Sequence, residues 1–168
     1  MGQSPEDWVI RHLPGGGSVP VRPGSPVDAV FGAADPGAGR TMELSLGYLG
    51  DLVWLRLPEA RPLVADQVAR ELDDAMAMGR ELRHPTALNI VSDVLWTPLL
   101  RRLLESSPLD RELLARCLAV IREAYTSEES NDEVRDALLV YVMDGLRAPD
   151  YLSIVEDVDR ELFEIIEG

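Results

Sequence analysis

The sequence has one cysteine, no lysine and few aromatic residues among its 168 residues. The single cysteine, Cys117, excludes an internal disulfide, and it falls on an apolar helical face where a thiol acts as a small buried hydrophobe. This fits a reducing compartment, and we predict a cytoplasmic protein. No run of about 18 apolar residues occurs, so we expect no membrane-spanning helix. We also expect no signal peptide, because no basic stretch followed by an apolar one opens the chain.

Residues for metal or covalent chemistry are also scarce. The two histidines, His12 and His84, do not form a ligand-spaced pair, and with one cysteine an ordinary zinc site is not expected. Neither a G-x-S-x-G motif nor a phosphate-binding loop occurs. Glu71, Asp73 and Asp74 are the best candidate magnesium ligands, but a facing acidic motif is missing. We therefore predict a binding protein with no catalytic residues, no metal and no other cofactor. The alternative is a carboxylate- and magnesium-dependent enzyme.

Charge is what the sequence has in excess. Its 16 basic residues are all arginine, against 30 acidic residues, for a net charge of -14. Residues 127–168 alone hold 13 acids and 3 arginines. Such a field repels nucleic acid and anionic membranes and attracts cationic partners. We therefore predict a basic protein partner, and no binding to nucleic acid or membrane.

The predicted partner-binding residues are the acids of the last two helical stretches. They are Glu128, Glu129, Asp132, Glu133, Asp136, Glu156, Asp157, Asp159, Glu161 and Glu164. Acids spread around a helix point in several directions, so only part of this set can face one partner. The last helix is predicted to have an inward apolar stripe of Leu152, Val155, Leu162 and Ile166. We favour the acids displaced from this stripe, with Glu156, Asp157 and Glu161 foremost.

The N-terminal part is the least regular. Residues 14–40 are rich in glycine and proline, which predicts that most of this stretch is loop. We define an N-terminal arm of about residues 1–40. Before that loop, a Ser-Pro-Glu-Asp cap predicts a short helix through Trp8, Val9 and Leu13.

Residues 42–57 are ambiguous between helix and strand. Met42, Leu44 and Leu46 alternate with polar residues, as in a half-buried strand. A helix would instead align apolar residues from Leu46 to Leu57. We favour a helix from about residue 43, and a short β-hairpin near 42–57 is the alternative.

Helical patterns dominate the rest of the chain. Predicted helix starts near residues 62, 86, 108, 131 and 150 recur at near-regular intervals, and Pro98 is expected to kink or end the second of these helices. We predict a mainly α fold, a single domain over residues 1–168 built of stacked antiparallel helical hairpins.

Two consecutive helices carry the clearest apolar stripes. The first is predicted to be capped by Ser107 with Pro108 in its first turn, and the second begins near Asn131. In the second helix Leu139 and Val140 are apolar in addition to the stripe. We therefore expect that helix to be nearly all buried, at the centre of the core. Its stripe is Val134, Leu138, Tyr141, Val142 and Leu146, and that of the first helix is Leu114, Cys117, Leu118, Ile121 and Tyr125.

These two helices resemble a pattern in small helical bacterial immunity proteins, which are encoded beside secreted toxins. The residues that carry the resemblance are Asp132, Val134, Ala137, Leu138, Val140 and Leu146, and the preceding helix is similar to the companion helix. The resemblance covers roughly residues 109–147. It implies a protein that neutralises a cognate toxin by direct binding and has no reaction of its own. A helical adaptor with a peptide or small-molecule groove is a further alternative.

Overall fold

A computed structural model describes residues 9–12, 18–21, 46–80 and 83–168, and it confirms a mainly α fold. The helices of the described part are α1 (Gly47–Arg56), α2 (Arg61–Met78), α3 (87–104), α4 (Arg111–Thr126), α5 (132–146), α6 (Pro149–Val158) and α7 (Arg160–Glu167). A 3-10 turn, Pro58–Ala60, joins α1 to α2. Within the described residues, no helix is both long and apolar enough to cross a membrane.

Two short strands lie in the N-terminal arm. Strand β1 (Val9–His12) pairs antiparallel with β2 (Ser18–Val21), so that Val9 lies opposite Val21. The predicted helix through Trp8, Val9 and Leu13 is therefore wrong over Val9–His12. Val9 and Ile10 are β-branched and favour a strand. Trp8, Leu13 and the rest of the arm lie outside the described residues.

Residues 47–56 form helix α1, which confirms the favoured helix and makes the β-hairpin wrong there. Leu49, Leu52 and Val53 are buried at three- and four-residue spacing, so α1 gains stability by packing one face against the core. Gly47 opens the helix with φ +72, a backbone conformation that glycine adopts without strain. Residues 42–45 lie outside the described part.

Helix α4 is the central helix of the domain. It packs against α1, α3, α5, α6 and α7. Leu114, Cys117, Leu118 and Ile121 are each at most 1% exposed, which confirms the buried stripe predicted for this helix. Tyr125, at the end of the stripe, is only partly buried.

The start of α4 differs from the prediction. Its N-cap is Asp110, whose carboxylate accepts the N–H of Leu113 at 3.0 Å. Ser107 and Pro108 precede the helix, so the predicted cap is wrong. A carboxylate is a good N-cap because it accepts an unpaired N–H and interacts favourably with the positive end of the helix dipole.

Helices α3 and α5 lie side by side and run in the same direction. Their first turns pack together, and so do their middle segments, Val91–Leu100 and Leu138–Met143. Both middle segments have wide, π-type turns. Pro98 lies in the wide segment of α3, and the helix continues through it to residue 104 rather than ending. Wider turns give the proline ring room that an α-helix lacks.

Helix α5 has an exposed apolar side, contrary to the expectation that it is buried all round. Leu138 and Val142 are fully buried, but Leu139 is 40%, Val140 60% and Tyr141 38% exposed. Helix α4, not α5, is therefore the centre of the core, and Tyr141 is not a core residue.

The last helical stretch is two helices rather than one. Asp159 ends α6 and caps α7, because its carboxylate accepts the N–H of Leu162 at 3.0 Å. Of the predicted inward residues, Val155, Leu162 and Ile166 are buried and Leu152 is only partly buried. The apolar pattern runs across the break, which hides the break in the sequence.

We predict that Gly145→Ala destabilises the fold. A Cβ atom at this position would lie 2.4 Å from Cζ2 of Trp96, so the indole ring would have to move. We expect a net loss of about 1–2 kcal/mol, since overpacking outweighs the better helix propensity of alanine. Chemical denaturation measures the loss. Adding Trp96→Leu removes the clash, so equal losses in the two backgrounds would contradict this packing.

Candidate protein-binding surface

The five predicted binding residues of α6 and α7, including the capping Asp159, all lie beside arginines. We call Glu156, Asp157, Asp159, Glu161 and Glu164 the terminal acids. Their ion pairs are Arg111–Asp157 (2.7 Å), Arg122–Asp159 (3.2 Å), Arg122–Glu161, Arg160–Glu156 (3.2 Å) and Arg160–Glu164 (3.4 Å). Two of these arginines come from α4. The field of the terminal acids is therefore partly offset where they lie, including at the three acids favoured from the sequence.

Two of the predicted binding residues have roles in the fold. The side chain of Asp159 is only 9% exposed and caps α7. Glu133 accepts the backbone N–H of Ala87 at 3.2 Å, so its carboxylate serves the first turn of α3. A partner has little access to Asp159 and would compete with α3 for Glu133.

The remaining four acids lie at the turn between α4 and α5 and along α5. We call Glu128, Glu129, Asp132 and Asp136 the acidic row. Glu128, Glu129 and Asp136 are exposed and make no ion pair with any residue that the structure describes. The side chain of Asp132 is 98% exposed and forms only a long ion pair, with Arg135 at 3.8 Å. Charge on the acidic row is thus available to a partner.

Arg135 fixes the turn that presents Glu128 and Glu129. Its guanidinium donates to the carbonyl oxygen of Ser127 at 2.9 Å and to that of Tyr125 at 3.3 Å. These carbonyls lie at the C-terminus of α4, where backbone acceptors lack helical partners. Ser127 Oγ also accepts the N–H of Glu129 at 3.1 Å. Hydrogen bonds therefore fix the backbone of the turn, and with it the positions from which Glu128 and Glu129 extend.

An apolar patch, Leu139, Val140 and Tyr141, continues the acidic row along α5. Asp132, Asp136 and Val140 are each four residues apart, which places them on one side of a helix. Along this side of α5, exposed apolar side chains therefore follow directly after exposed acids. Protein interfaces combine these features, with an apolar centre and a polar rim.

The candidate magnesium ligands Glu71, Asp73 and Asp74 do not point to a common site. Glu71 forms an ion pair with Arg80 at 2.5 Å and accepts the N–H of Arg83 at 3.3 Å. The hydrogen bond from Arg80 holds the pKa of the Glu71 carboxyl below its ordinary value. Asp73 and Asp74 are exposed on α2. Within the described residues, no three histidine, cysteine, aspartate or glutamate side chains come together as metal ligands.

A small pocket lies where the first turns of α1, α3 and α5 meet. Its volume is about 80 Å³, and Tyr48, His84, Asn131 and Glu133 are among its lining residues. Small-molecule sites usually have volumes of about 300 Å³ or more. The pocket gives little support to the alternative of a small-molecule groove.

Cys117 is buried as expected, at 1% exposure. Burial raises the pKa of its thiol to about 12. Only the thiolate is a good nucleophile, so this cysteine is poorly reactive at neutral pH.

The sequence reasoning missed the arginines that decide which acids are available. Arg111 and Arg122 reach acids 46 and 39 residues further along the chain, since they pair with Asp157 and Glu161. No local pattern signals such long-range pairs. The role of Arg135 could have been predicted from the sequence. A basic residue in the first turn of a helix that follows a short turn can reach the C-terminal carbonyls of the preceding helix.

We predict that native protein does not react with Ellman's reagent at pH 8, whereas in unfolded protein one thiol per chain reacts. The reason is the burial and raised pKa of Cys117. A Ser153→Cys variant provides an exposed control thiol on α6. Reaction of native Cys117 as fast as that control would contradict the burial.

We predict that Arg135→Ala costs about 1–3 kcal/mol of unfolding free energy, because two hydrogen bonds from a charged donor are lost. Amide exchange at Glu129 and Ser130 should also become faster. Arg160→Ala is the control, since its exposed ion pairs contribute less than about 1 kcal/mol. Equal losses in the two variants would show that Arg135 does not hold the turn.

None of the protein-family models, curated proteins and solved structures compared with the chain matches it. The resemblance of residues 109–147 to immunity proteins therefore stays a prediction. Function has to be argued from the acidic row, the apolar patch and their surroundings.

Proposed function

We propose that this protein is a bacterial immunity protein that binds a basic toxin domain and neutralises it. The observation that carries the proposal is the acidic row, whose exposed carboxylates lie on α5 and the turn before it, next to an exposed apolar patch on that helix. The toxin as partner comes from the resemblance of residues 109–147. The protein acts in the cytoplasm and by binding alone, without a reaction of its own.

The negative charge of the acidic row increases the rate at which a basic partner associates. An inhibitor has to bind before the toxin acts, and opposite charges raise the association rate well above that of neutral surfaces. A standard interface needs about 800 Å² on each partner, more than one helix presents. The turn with Glu128 and Glu129 and the outer side of α5 together supply a wider surface.

Ion pairs within the protein favour some of the ten predicted acids over others as the binding surface. The terminal acids are paired with Arg111, Arg122 and Arg160, so a partner's arginine or lysine would have to displace a resident cation. In the acidic row only Asp132 has an arginine partner among the described residues, in a long 3.8 Å pair with Arg135, so a partner's cation meets less competition there. The proposal therefore places the interface on α5 and the preceding turn rather than on α6 and α7.

The experiment co-expresses this chain with the protein encoded by the adjacent gene and scores growth. We predict that the wild type restores growth and that purified proteins associate rapidly, with a strong dependence on salt. Neutralising the acidic row (Glu128→Gln, Glu129→Gln, Asp132→Asn, Asp136→Asn) should slow association about tenfold at low salt and weaken the salt dependence.

The matched control removes the same number of charges from α6 and α7. It is Glu156→Gln, Asp157→Asn, Glu161→Gln and Glu164→Gln, which should leave association nearly unchanged. Equal slowing in the two quadruple variants would show that net charge, not the acidic row, steers the partner. Toxicity that persists with this chain present would refute the immunity function.

A further inference from the structure

The apolar patch is unusual because three consecutive large side chains, Leu139, Val140 and Tyr141, are all exposed. An α-helix turns by about 100° per residue, so three consecutive residues span about 200° and one of them normally faces the core. Leu138–Met143 has wider turns, in which each residue turns by less, and the N–H of Asp144 donates to the carbonyl of Leu139. The wide turns therefore bring the three side chains to the outer side of α5.

The same outer side of α5 carries Asp132 and Asp136, the two helical members of the acidic row. From Asp132 to Val140 the distance is eight residues, roughly 12 Å along the helix axis. Asp136 lies between them, one turn from each. A partner that pairs its cations with these acids has its neighbouring surface held over the apolar patch.

We propose that the apolar patch anchors the interface and takes an apolar side chain of the basic partner. That side chain lies one to two helical turns, about 6–12 Å, from the partner's arginine or lysine residues. The inference rests on the proposed function, because the acidic row supplies the charge complementarity that selects a basic occupant. The acids speed the encounter, and the apolar contact slows dissociation by excluding water.

Other occupants fit the surface less well. A two-fold dimer through α5 would bring two acidic surfaces of like charge together and would supply no cation for either acidic row. An anionic membrane would be repelled by the same carboxylates. A basic protein segment with an apolar side chain satisfies both halves of the surface.

The test uses two fluorescein-labelled helical peptides of equal length as probes. Both carry four lysines along one edge, and one carries leucines beside them where the other carries serines. Anisotropy titrations should show that wild-type protein binds the leucine peptide at least about tenfold more tightly than the serine peptide. In Leu139→Ser/Val140→Ser/Tyr141→Ser this ratio should fall to about one.

The matched control is Leu55→Ser/Met78→Ser, which removes exposed apolar side chains from α1 and α2. It should keep the tenfold preference. Circular dichroism checks that each variant folds, and Val140→Ser alone, at the most exposed residue of the patch, should lower the ratio in part. A ratio that is unchanged in the triple variant, or no leucine preference in the wild type, would overturn the anchor.

The serine peptide separates the anchor from the proposed function, because it probes the acidic row alone. If neutralising the acidic row weakens serine-peptide binding while the wild type shows no leucine preference, only the anchor is overturned. If serine-peptide binding is the same in the acidic-row variant and its α6–α7 control, the placement of the interface on the acidic row fails as well, whereas the immunity function itself is refuted only by toxicity that persists in the growth assay. A wild-type dimer in sedimentation velocity that the triple variant loses would reassign the patch to self-association.

Discussion

Burial of one face of α4 is the interaction on which the rest of the domain depends. Leu114, Leu118 and Ile121 are fully buried, and five other helices pack around this one. Each such side chain contributes on the order of 2 kcal/mol by leaving water. Because α4 occupies the centre, α5 lies to one side of it and keeps an outer face. The candidate binding surface exists because α5 is a flank of the core and not its centre.

The elements that the sequence predicts well are those with an undisturbed 3.6-residue period. The stripe of α4 and the inward residues Val155, Leu162 and Ile166 were both predictable, since periodic apolar residues must be buried for a helix to be stable in water. For residues 47–56 the sequence favoured a helix over a β-hairpin without deciding between them. The apolar residues there suit a strand as well, and the packing against α4 decides between them.

The prediction was wrong where a change of helical period determines the structure, and the sequence does not reveal contacts between distant parts of the chain. Leu139 and Val140 look like additional core residues, but the wide turns of α5 place them outside. The terminal acids look like the strongest negative surface, but arginines of α4 lie beside them in space. The candidate binding residues follow from the sequence as a set of acids in 127–168. The division of that set into paired and available acids requires the fold.

The available acids and the apolar patch form one surface, with charge at the start of α5 and apolar side chains further along it. Hydroxyl-radical footprinting tests this surface most directly, because it reports the exposure of individual side chains. With the protein encoded by the adjacent gene bound, we predict strong protection of Leu139 and Tyr141 and none of Leu55 and Met78. Protection of α6 and α7 with Leu139 and Tyr141 still fully reactive would contradict the account.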